Sequence, residues 1–372
     1  LISTAISLQY LVGAVTGGNL PALHRRFGAA AVTKAGALSM AAGLIGLSMA
    51  ASPWQLFVAA ALSGVGWGSM SAAALNSIVS PWFARGRPAA LGMAYNGGSV
   101  GGIIFSPLWV LAIGALGFPV AASLVAVVMV LTLWTLAELV FSRTPETMGL
   151  RPDGDEPGME ELSVTSPSAR PLPGSLLWRD RRFLTLSAGM ALGLFAQIGL
   201  IAHLYSLLVP ALGATQAGFA MSFVTIMAIA GRTLLGWLMP IGTDRRLVAC
   251  GGYVLQVAGM IAFIFAAGTS VPLLIAGVVL FGVGFGNATS LPPLIAQVEF
   301  VKEDVPRAAA LIVAIAQGGY SIAPAFIGLI REFAPQGDLA APGAAPMVFA
   351  ATALAECLAI GAFLAGRRGS GD

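Results

Sequence analysis

Eleven long apolar runs, separated by short polar breaks, make up almost the whole chain. A helix needs about 20 mostly apolar residues to cross the hydrocarbon core of a bilayer, and the runs have about that length. The pattern therefore predicts an all-α membrane protein whose helices span the bilayer in succession. The runs lie near residues 1–20, 31–50, 55–82, 88–113, 118–142, 183–209, 217–240, 246–267, 271–297, 307–331 and 345–366.

The polar breaks alternate strictly between two kinds. One kind carries positive charge and the other almost none, and of the 19 Lys and Arg residues only Arg331 falls clearly in the second kind. Because basic loops are retained in the cytoplasm, we expect the basic breaks and the C-terminus at the cytoplasmic face and Leu1 at the outer face. The basic breaks are His24 to Arg26, Arg85 to Arg87, Arg143 to Arg182, Arg245 and Arg246, Lys302 to Arg307, and Arg367 and Arg368.

Composition excludes a water-soluble protein. Hydrophobic residues make up 57% of the chain and charged residues 9%, where a soluble domain carries about 25% charged residues. So much apolar surface needs lipid to cover it. The basic residues form short clusters and no continuous basic face, which argues against a nucleic-acid partner. Cys250 and Cys357 lie in apolar runs and the two histidines are far apart, so we expect no disulfide framework, metal site or cofactor.

The longest polar stretch, residues 142–182, divides the chain into two parts. It is rich in Pro, Ser and charges of both signs, as is typical of a linker with little packed structure, and we expect it in the cytoplasm. The sequence thus predicts an N-terminal helical bundle at 1–141 with five spans and a C-terminal six-helix bundle at 183–372. Because residue 1 is Leu and an apolar run begins at once, we expect a fragment that lacks its first helix.

The two parts repeat each other at matching places. Three ordered matches share an offset of 218 to 221 residues, and duplicated halves are typical of transporter folds. The first match pairs two glycine-rich segments, Gly64–Gly68 and Gly282–Gly286. No strand precedes either segment, so they do not fit a nucleotide-binding loop. We interpret them as sites of close helix packing. The matches are Gly64–Gly68 with Gly282–Gly286, Arg87–Leu91 with Arg307–Leu311, and Asn96–Gly98 with Gln317–Gly319.

Four segments resemble the major facilitator superfamily, and the resemblance covers the full length of the chain. Within the family the chain is similar to the bacterial branch of monocarboxylate and oxalate/formate transporters. The family has a Gly-x-x-x-Asp-Arg-x-Gly loop after its second helix; Arg26 and Gly28 match this motif, while Arg25 stands at its Asp position. The segments are Leu20 to Gly28, Trp82 to Ala94, His203 to Gly213, and Gly231 to Gly236 followed by Asp244 to Arg246.

The resemblance implies two pseudo-symmetric helical bundles around a central cavity, with 12 helices in the full-length protein. It also implies transport by alternating access. The monocarboxylate branch has an Asp four residues before the Arg of its eighth helix, but here that position is Ala228. Coupling through that Asp is therefore not expected.

Arg232 is the strongest candidate for a substrate-binding residue. It lies in an apolar run, where a guanidinium is costly unless it faces a cavity or a partner, and Arg suits bidentate capture of a carboxylate. The alternative is an Arg at the inner end of its helix that reaches the lipid headgroups or pairs with Asp244.

Further polar residues could line the same cavity. Asn96 and Gln317 occupy repeat-related positions in the middle of helices, each before a Gly pair. Their amides could bind substrate, or could join helices at about 1 kcal/mol each. Tyr95 and Tyr320 flank these amides, with ordinary packing as the alternative. His203 could accept a coupled proton, or could be a satisfied polar residue of the core.

Two carboxylic acids also fall in apolar runs. Glu356 lies in the middle of the last run and Glu138 near the inner end of the fifth. A carboxylate inside a membrane raises the hypothesis of a proton site. Because the last helix of each half lies away from the cavity in this family, we expect Glu356 to pack against a hydrogen-bond donor instead.

These observations predict a secondary transporter that moves a small organic anion such as a monocarboxylate. A coupled proton and a counter-anion are the alternatives for a second transported species, and we expect a monomer in a bacterial inner membrane. The main rival is an exporter of an amphipathic drug or metabolite, and a weaker rival is a membrane sensor, for which residues 142–182 are too short and too polar. The sequence contains no catalytic triad or paired-carboxylate site, so an enzyme is not expected.

Overall fold

The computed structural model is helical throughout the part of the chain that it describes. Eight helices in this part are long and apolar enough to cross a membrane, which agrees with the predicted all-α membrane protein. The described residues are 1–83, 87–154, 174–238, 243–289, 291–301, 304–333 and 343–367.

The helices group into two compact units. One unit comprises residues 1–98 and 112–168, and the other comprises residues 99–111 and 169–372. Helix α5 therefore contributes to both. The helices of the first unit are α1 (Ile2–Phe27), α2 (Ala29–Met49), α3 (Pro53–Ser69), α4 (Ala72–Val79), α5 (Arg87–Leu116) and α6 (Phe118–Leu136), and α6 continues as a π-helical turn over Ala137–Phe141.

Glycines hold the helices of the first unit close together. A Cβ atom built on Gly64 would lie 2.5 Å from the carbonyl oxygen of Gln9 on α1, and one on Gly68 2.5 Å from that of Gly13. A Cβ atom on Gly66 would instead lie 2.5 Å from Cβ of Met40 on α2. The first glycine-rich copy thus brings α3 against two neighbours at once, because small residues let helix backbones approach each other.

The second unit holds nine helices in its described residues. Two apolar clusters fill it, one around Phe183, Tyr253 and Phe363 and the other around Phe263 and Phe281. Helix α8 runs through both clusters and packs against α9, α13, α14 and α15. The helices are the short α7 (Gly174–Leu177), α8 (Arg181–Leu212), α9 (Ala214–Leu238), α10 (Arg245–Ala266), α11 (Val271–Phe285), α12 (Leu291–Glu299), α13 (Val305–Ser321), α14 (Ala323–Phe333) and α15 (Pro346–Ala365), together with the middle of α5.

The glycine-rich copy of the second unit packs in the same way as the first. A Cβ atom on Gly282 would lie 2.7 Å from Cβ of Met227 on α9, and Gly286 faces α9 at Ala228. Gly284 faces α10, where a Cβ atom would lie 2.6 Å from Cγ of Gln256. Outer glycines of each copy face one neighbour and the central glycine faces the other, which confirms that close helix packing explains both copies.

Three predicted spans are interrupted helices. The run 55–82 forms α3 and α4, the run 271–297 forms α11 and α12, and the run 307–331 forms α13 and α14. Pro292 lies in the first turn of α12, where a missing backbone N–H costs little. Pro107 lies inside α5, which is continuous from Arg87 to Leu116.

Candidate functional site

Arg232 reaches the point where α11 ends. Its Nε donates a 2.8 Å hydrogen bond to the carbonyl oxygen of Gly286, the residue directly after α11. The last carbonyls of a helix lack partners within the helix, so this bond satisfies one of them. Within the described residues, the two terminal nitrogens of Arg232 have no hydrogen-bond or ion-pair partner. The guanidinium is half-buried, with its terminal nitrogens available to a ligand.

Asp244 does not pair with Arg232, although the sequence left that pairing open. Its Oδ2 accepts a 2.7 Å hydrogen bond from Nε of Arg367. Its Oδ1 accepts hydrogen bonds from the backbone amides of Arg246 at 2.9 Å and Leu247 at 3.4 Å, so Asp244 caps the start of α10. Burial acts to raise the pKa of Asp244, but these hydrogen bonds outweigh it and hold the pKa below its ordinary value.

Ala228 lies where α9 and α11 approach each other closely. It is buried, and its carbonyl group lies against Gly286. The position at which the monocarboxylate branch has an Asp is thus part of the close packing between these two helices.

The other predicted substrate-binding residues lie on several helices. Gln317 and Tyr320 are half-buried on α13, which, like α9 with Arg232, packs against α8. The side chains of Asn96 and Tyr95 lie outside the described residues. The structure thus places Arg232, Gln317 and Tyr320 in one unit and shows no direct contact that joins them within the part described.

His203 is buried on α8 and bonded to α14. Its Nε2 lies 3.0 Å from the carbonyl oxygen of Pro324, which lies in the first turn of α14, directly after the break between α13 and α14. One turn further along α8, Ser206 accepts a 2.6 Å hydrogen bond from Arg331. The contacts of His203 therefore join α8 to the interrupted helix.

Arg246 is the centre of a polar cluster that the sequence did not predict. Its side chain is 2% exposed. Nε donates to Oε1 of Glu299 at 2.6 Å and Nη2 donates to Oε2 at 2.7 Å. Thr185 and the carbonyl oxygens of Arg182 and Phe363 accept the remaining hydrogen bonds at 3.0 to 3.2 Å. The cluster ties the ends of α8, α10, α12 and α15 together.

Comparison with known proteins decides the family. Residues 1–324 match the model of the Major Facilitator Superfamily. The chain belongs to the major facilitator superfamily. A curated relative, the MFS transporter asaE of Aspergillus flavus, is 26% identical over 341 residues, which cover 87% of this chain and 69% of the relative.

A solved structure with a similar fold is that of a mutant of the nucleoside transporter NupG. The TM-score is 0.72 at 14% sequence identity, with 99% of this chain and 90% of that chain covered. At this identity the likeness concerns the fold alone. Together with the family match and the eight apolar helices, it makes this major facilitator protein an integral membrane transporter of a small-molecule substrate and not an enzyme.

Polar residues of this major facilitator protein also collect beside the break between α11 and α12. Tyr253, Gln256 and Asn287 line a small cleft between α10, α11 and α12. Gln256 accepts a 2.8 Å hydrogen bond from Nε2 of Gln197 on α8, and both glutamines are buried. The cleft therefore leads from the helix break that Arg232 contacts towards the interior of the second unit.

Glu356 has no hydrogen-bond donor in the described part of the chain. The residue is 0% exposed and both carboxyl oxygens lack a partner, so the predicted packing against a donor is not seen. Glu138 differs, because it forms an ion pair with Lys34, whose ammonium group also lies over the ring of Trp134.

Proposed function

We propose that this transporter moves a small organic anion, such as a monocarboxylate, with Arg232 as the residue that binds its carboxylate. The supporting observation is the state of the guanidinium in the membrane-spanning part of α9. One edge is fixed by the carbonyl of Gly286, and the terminal nitrogens are left to form the two parallel hydrogen bonds with which Arg binds a carboxylate.

Burial of the Arg232 guanidinium in a membrane-spanning helix has a high free-energy cost unless an anion compensates its charge. Transfer of charge into a membrane interior is unfavourable unless a partner or water compensates it, and no carboxylate lies on Arg232 among the described residues. A substrate carboxylate would supply that compensation. The interrupted helix beside Arg232 adds backbone groups outside regular hydrogen bonding, as discontinuous helices do in other transporter folds.

Gln317 and Tyr320 are proposed to orient the rest of the substrate, together with Asn96, Tyr95 and His203. Their amide, hydroxyl and imidazole groups can donate hydrogen bonds to carbonyl or hydroxyl groups beside the carboxylate. We also propose alternating access by a monomer in a bacterial inner membrane, with the basic breaks at the cytoplasmic face. The monocarboxylate branch and the missing first helix remain predictions.

The test is uptake of labelled small carboxylates by the full-length protein in proteoliposomes. We expect Arg232→Gln to lower the rate about 100-fold, because two charge-assisted hydrogen bonds are worth about 3 kcal/mol together. Arg232→Lys keeps the charge without the planar fork and should retain an intermediate rate.

Arg245→Gln is the matched control. Arg245 lies near the same end of the unit and donates a 2.5 Å hydrogen bond to the carbonyl oxygen of Leu294, so it loses a comparable backbone contact. We expect it to transport within about twofold of the parent, as is usual for a site outside the binding machinery. Normal carboxylate uptake by Arg232→Gln, or preference of the parent for an uncharged amphipathic compound, would contradict the proposal.

A further inference from the structure

The interior of the second unit holds polar groups that the proposed substrate site does not use. In the described residues, the buried atoms without a hydrogen-bond partner include both carboxyl oxygens of Glu356, Oε1 of Gln197 and the hydroxyl of Tyr253. They belong to three helices that pack side by side, since α15 contacts both α8 and α10. Glu356 is close enough to Tyr253 for an electrostatic interaction between the two groups.

We propose that Glu356 is an intramembrane proton-binding site at which a coupled proton is carried. A buried ionised carboxylate without a partner is far more costly than a neutral acid. The neutral acid also brings one O–H donor, and the neighbouring helices α8 and α10 carry buried acceptor oxygens without a partner among the described residues, on Gln197 and Tyr253. Proton binding at Glu356 stands by itself, whereas the coupling of that proton to substrate transport rests on the proposed function.

Among the described residues, no cationic side chain is bonded to Glu356. The helices packed against α15 are α8, α10 and α14. On α10, Arg246 is bonded to Glu299, Cys250 contacts the carbonyl oxygen of Ile360, and Tyr253 interacts electrostatically with Glu356. On α8, His203 is bonded to Pro324 and Arg182 to the carbonyl oxygen of Glu299. On α14, Arg331 donates to Ser206, and Glu332 at the end of that helix carries no positive charge.

Polar residues extend from the break that Arg232 contacts to Tyr253, which interacts electrostatically with Glu356. Asn287 follows the carbonyl that Arg232 contacts, and it shares a cleft with Gln256 and Tyr253. Gln256 continues to Gln197 through their 2.8 Å hydrogen bond. A displacement of α11 would move Gly286, which Arg232 contacts, and Asn287, which lines the cleft with Tyr253 and Gln256, which gives a physical route for coupling a proton to substrate binding.

The first experiment is infrared spectroscopy of the full-length protein in lipid. At pH 7 we expect a carbonyl band of a protonated carboxylic acid that disappears in Glu356→Gln. The matched control is Glu138→Gln, which removes an ion-paired carboxylate and should leave that band unchanged. A parent spectrum from which Glu356→Gln removes carboxylate bands instead would overturn the proposal, and this readout needs no transport.

The second experiment measures labelled lactate in proteoliposomes, with protein-free vesicles to correct for passive permeation. With a gradient of about one pH unit, the parent and Glu138→Gln should accumulate lactate about tenfold, because one unit corresponds to about 1.4 kcal/mol. Glu356→Gln should lose this accumulation while exchange at equal pH, which moves no net proton, persists.

Retained accumulation in Glu356→Gln would overturn the coupling role. If the parent itself neither accumulates nor exchanges lactate, the proposed substrate class fails, while the infrared result still decides whether Glu356 binds a proton.

Discussion

The guanidinium of Arg246 and the carboxylate of Glu299 form two parallel hydrogen bonds, 2.6 and 2.7 Å long, between α10 and the end of α12. Among the described residues, the other hydrogen bonds of this guanidinium go to α8 and α15. A buried charge is tolerated when it is paired and its donors are satisfied. This pair therefore fastens four helices at one end of the second unit.

Removal of one partner of this pair should destabilise the protein strongly. We expect Arg246→Ala to lower the free energy of unfolding by about 3 kcal/mol, because the half-buried carboxylate of Glu299 loses its partner. The measurement is equilibrium unfolding in mixed detergent micelles. The control is Arg245→Ala, which loses one hydrogen bond to a carbonyl oxygen and should cost about 1 kcal/mol.

The double variant Arg246→Met with Glu299→Leu separates pairing from packing. We expect it to be more stable than Arg246→Ala, since apolar residues of similar volume often replace a buried pair without loss. A double variant as unstable as Arg246→Ala would show that the shape of the arginine, and not its charge, matters here.

The ion pair of Asp244 and Arg367 should make stability depend on pH in acid. The pKa of Asp244 lies below its ordinary value because hydrogen bonds from Arg367 and the α10 amides outweigh burial. The folded state therefore gains stability above the unfolded pKa of about 3.9 and loses it as the pH falls through the folded pKa. Asp244→Asn should unfold at a lower temperature than the parent at pH 7, and the difference should vanish in strong acid.

The size of this difference should be small, about 1 kcal/mol or less, because both side chains are more than a third exposed and such pairs are screened by solvent. An equal difference at pH 7 and in strong acid would assign the effect to the helix cap and not to the ion pair.

The central glycines of the two repeated copies should not tolerate alanine. A Cβ atom on Gly66 would meet Met40, and one on Gly284 would meet the backbone of Gly252 and the side chain of Gln256. We expect each alanine variant to cost about 1–3 kcal/mol through overpacking. Gly361→Ala on α15 is the control, because a Cβ atom there has nothing within 4 Å, and it should be neutral or stabilising by about 1 kcal/mol. Equal effects at all three positions would contradict this packing.

The orientation proposed from the basic breaks can be tested by labelling. In a background with Cys250→Ala and Cys357→Ala, Thr215→Cys places a thiol in an uncharged break and Met148→Cys places one in a basic break; both parent residues are exposed. A membrane-impermeant maleimide should label Thr215→Cys in intact cells and Met148→Cys only in inverted vesicles, because basic loops are not translocated. The reverse pattern would overturn the orientation.

Hydropathy predicted the all-helical membrane fold because a membrane helix needs a long apolar run, and eight helices of the described residues meet that requirement, against eleven predicted runs. It could not predict that the runs 55–82, 271–297 and 307–331 are interrupted. Such breaks depend on which backbone groups find partners in neighbouring helices, as the carbonyl of Gly286 does with Arg232. A hydropathy window averages over the few residues that decide this.

The candidate site was predictable only in part for the same reason. Arg232 was a candidate because it is an arginine in an apolar run, whereas Arg246 lies in a basic break that was expected at the cytoplasmic face. It is buried because Glu299, 53 residues further along the chain, folds back onto it. The sequence feature that could have indicated this pair is an acidic residue, Glu299, at the end of an apolar run. The sequence alone does not identify the arginine with which it forms an ion pair.

The alternation of glycines along α11 has a mechanical consequence. Gly282 and Gly286 face α9 and Gly284 faces α10, so α11 is closely packed against both helices. Dense packing transmits a displacement to the neighbouring helices instead of absorbing it. Whenever α11 is displaced, the arginine on α9 and the glutamine on α10 must travel with it. The residues proposed for anion binding and for the start of the proton route therefore move together when α11 moves.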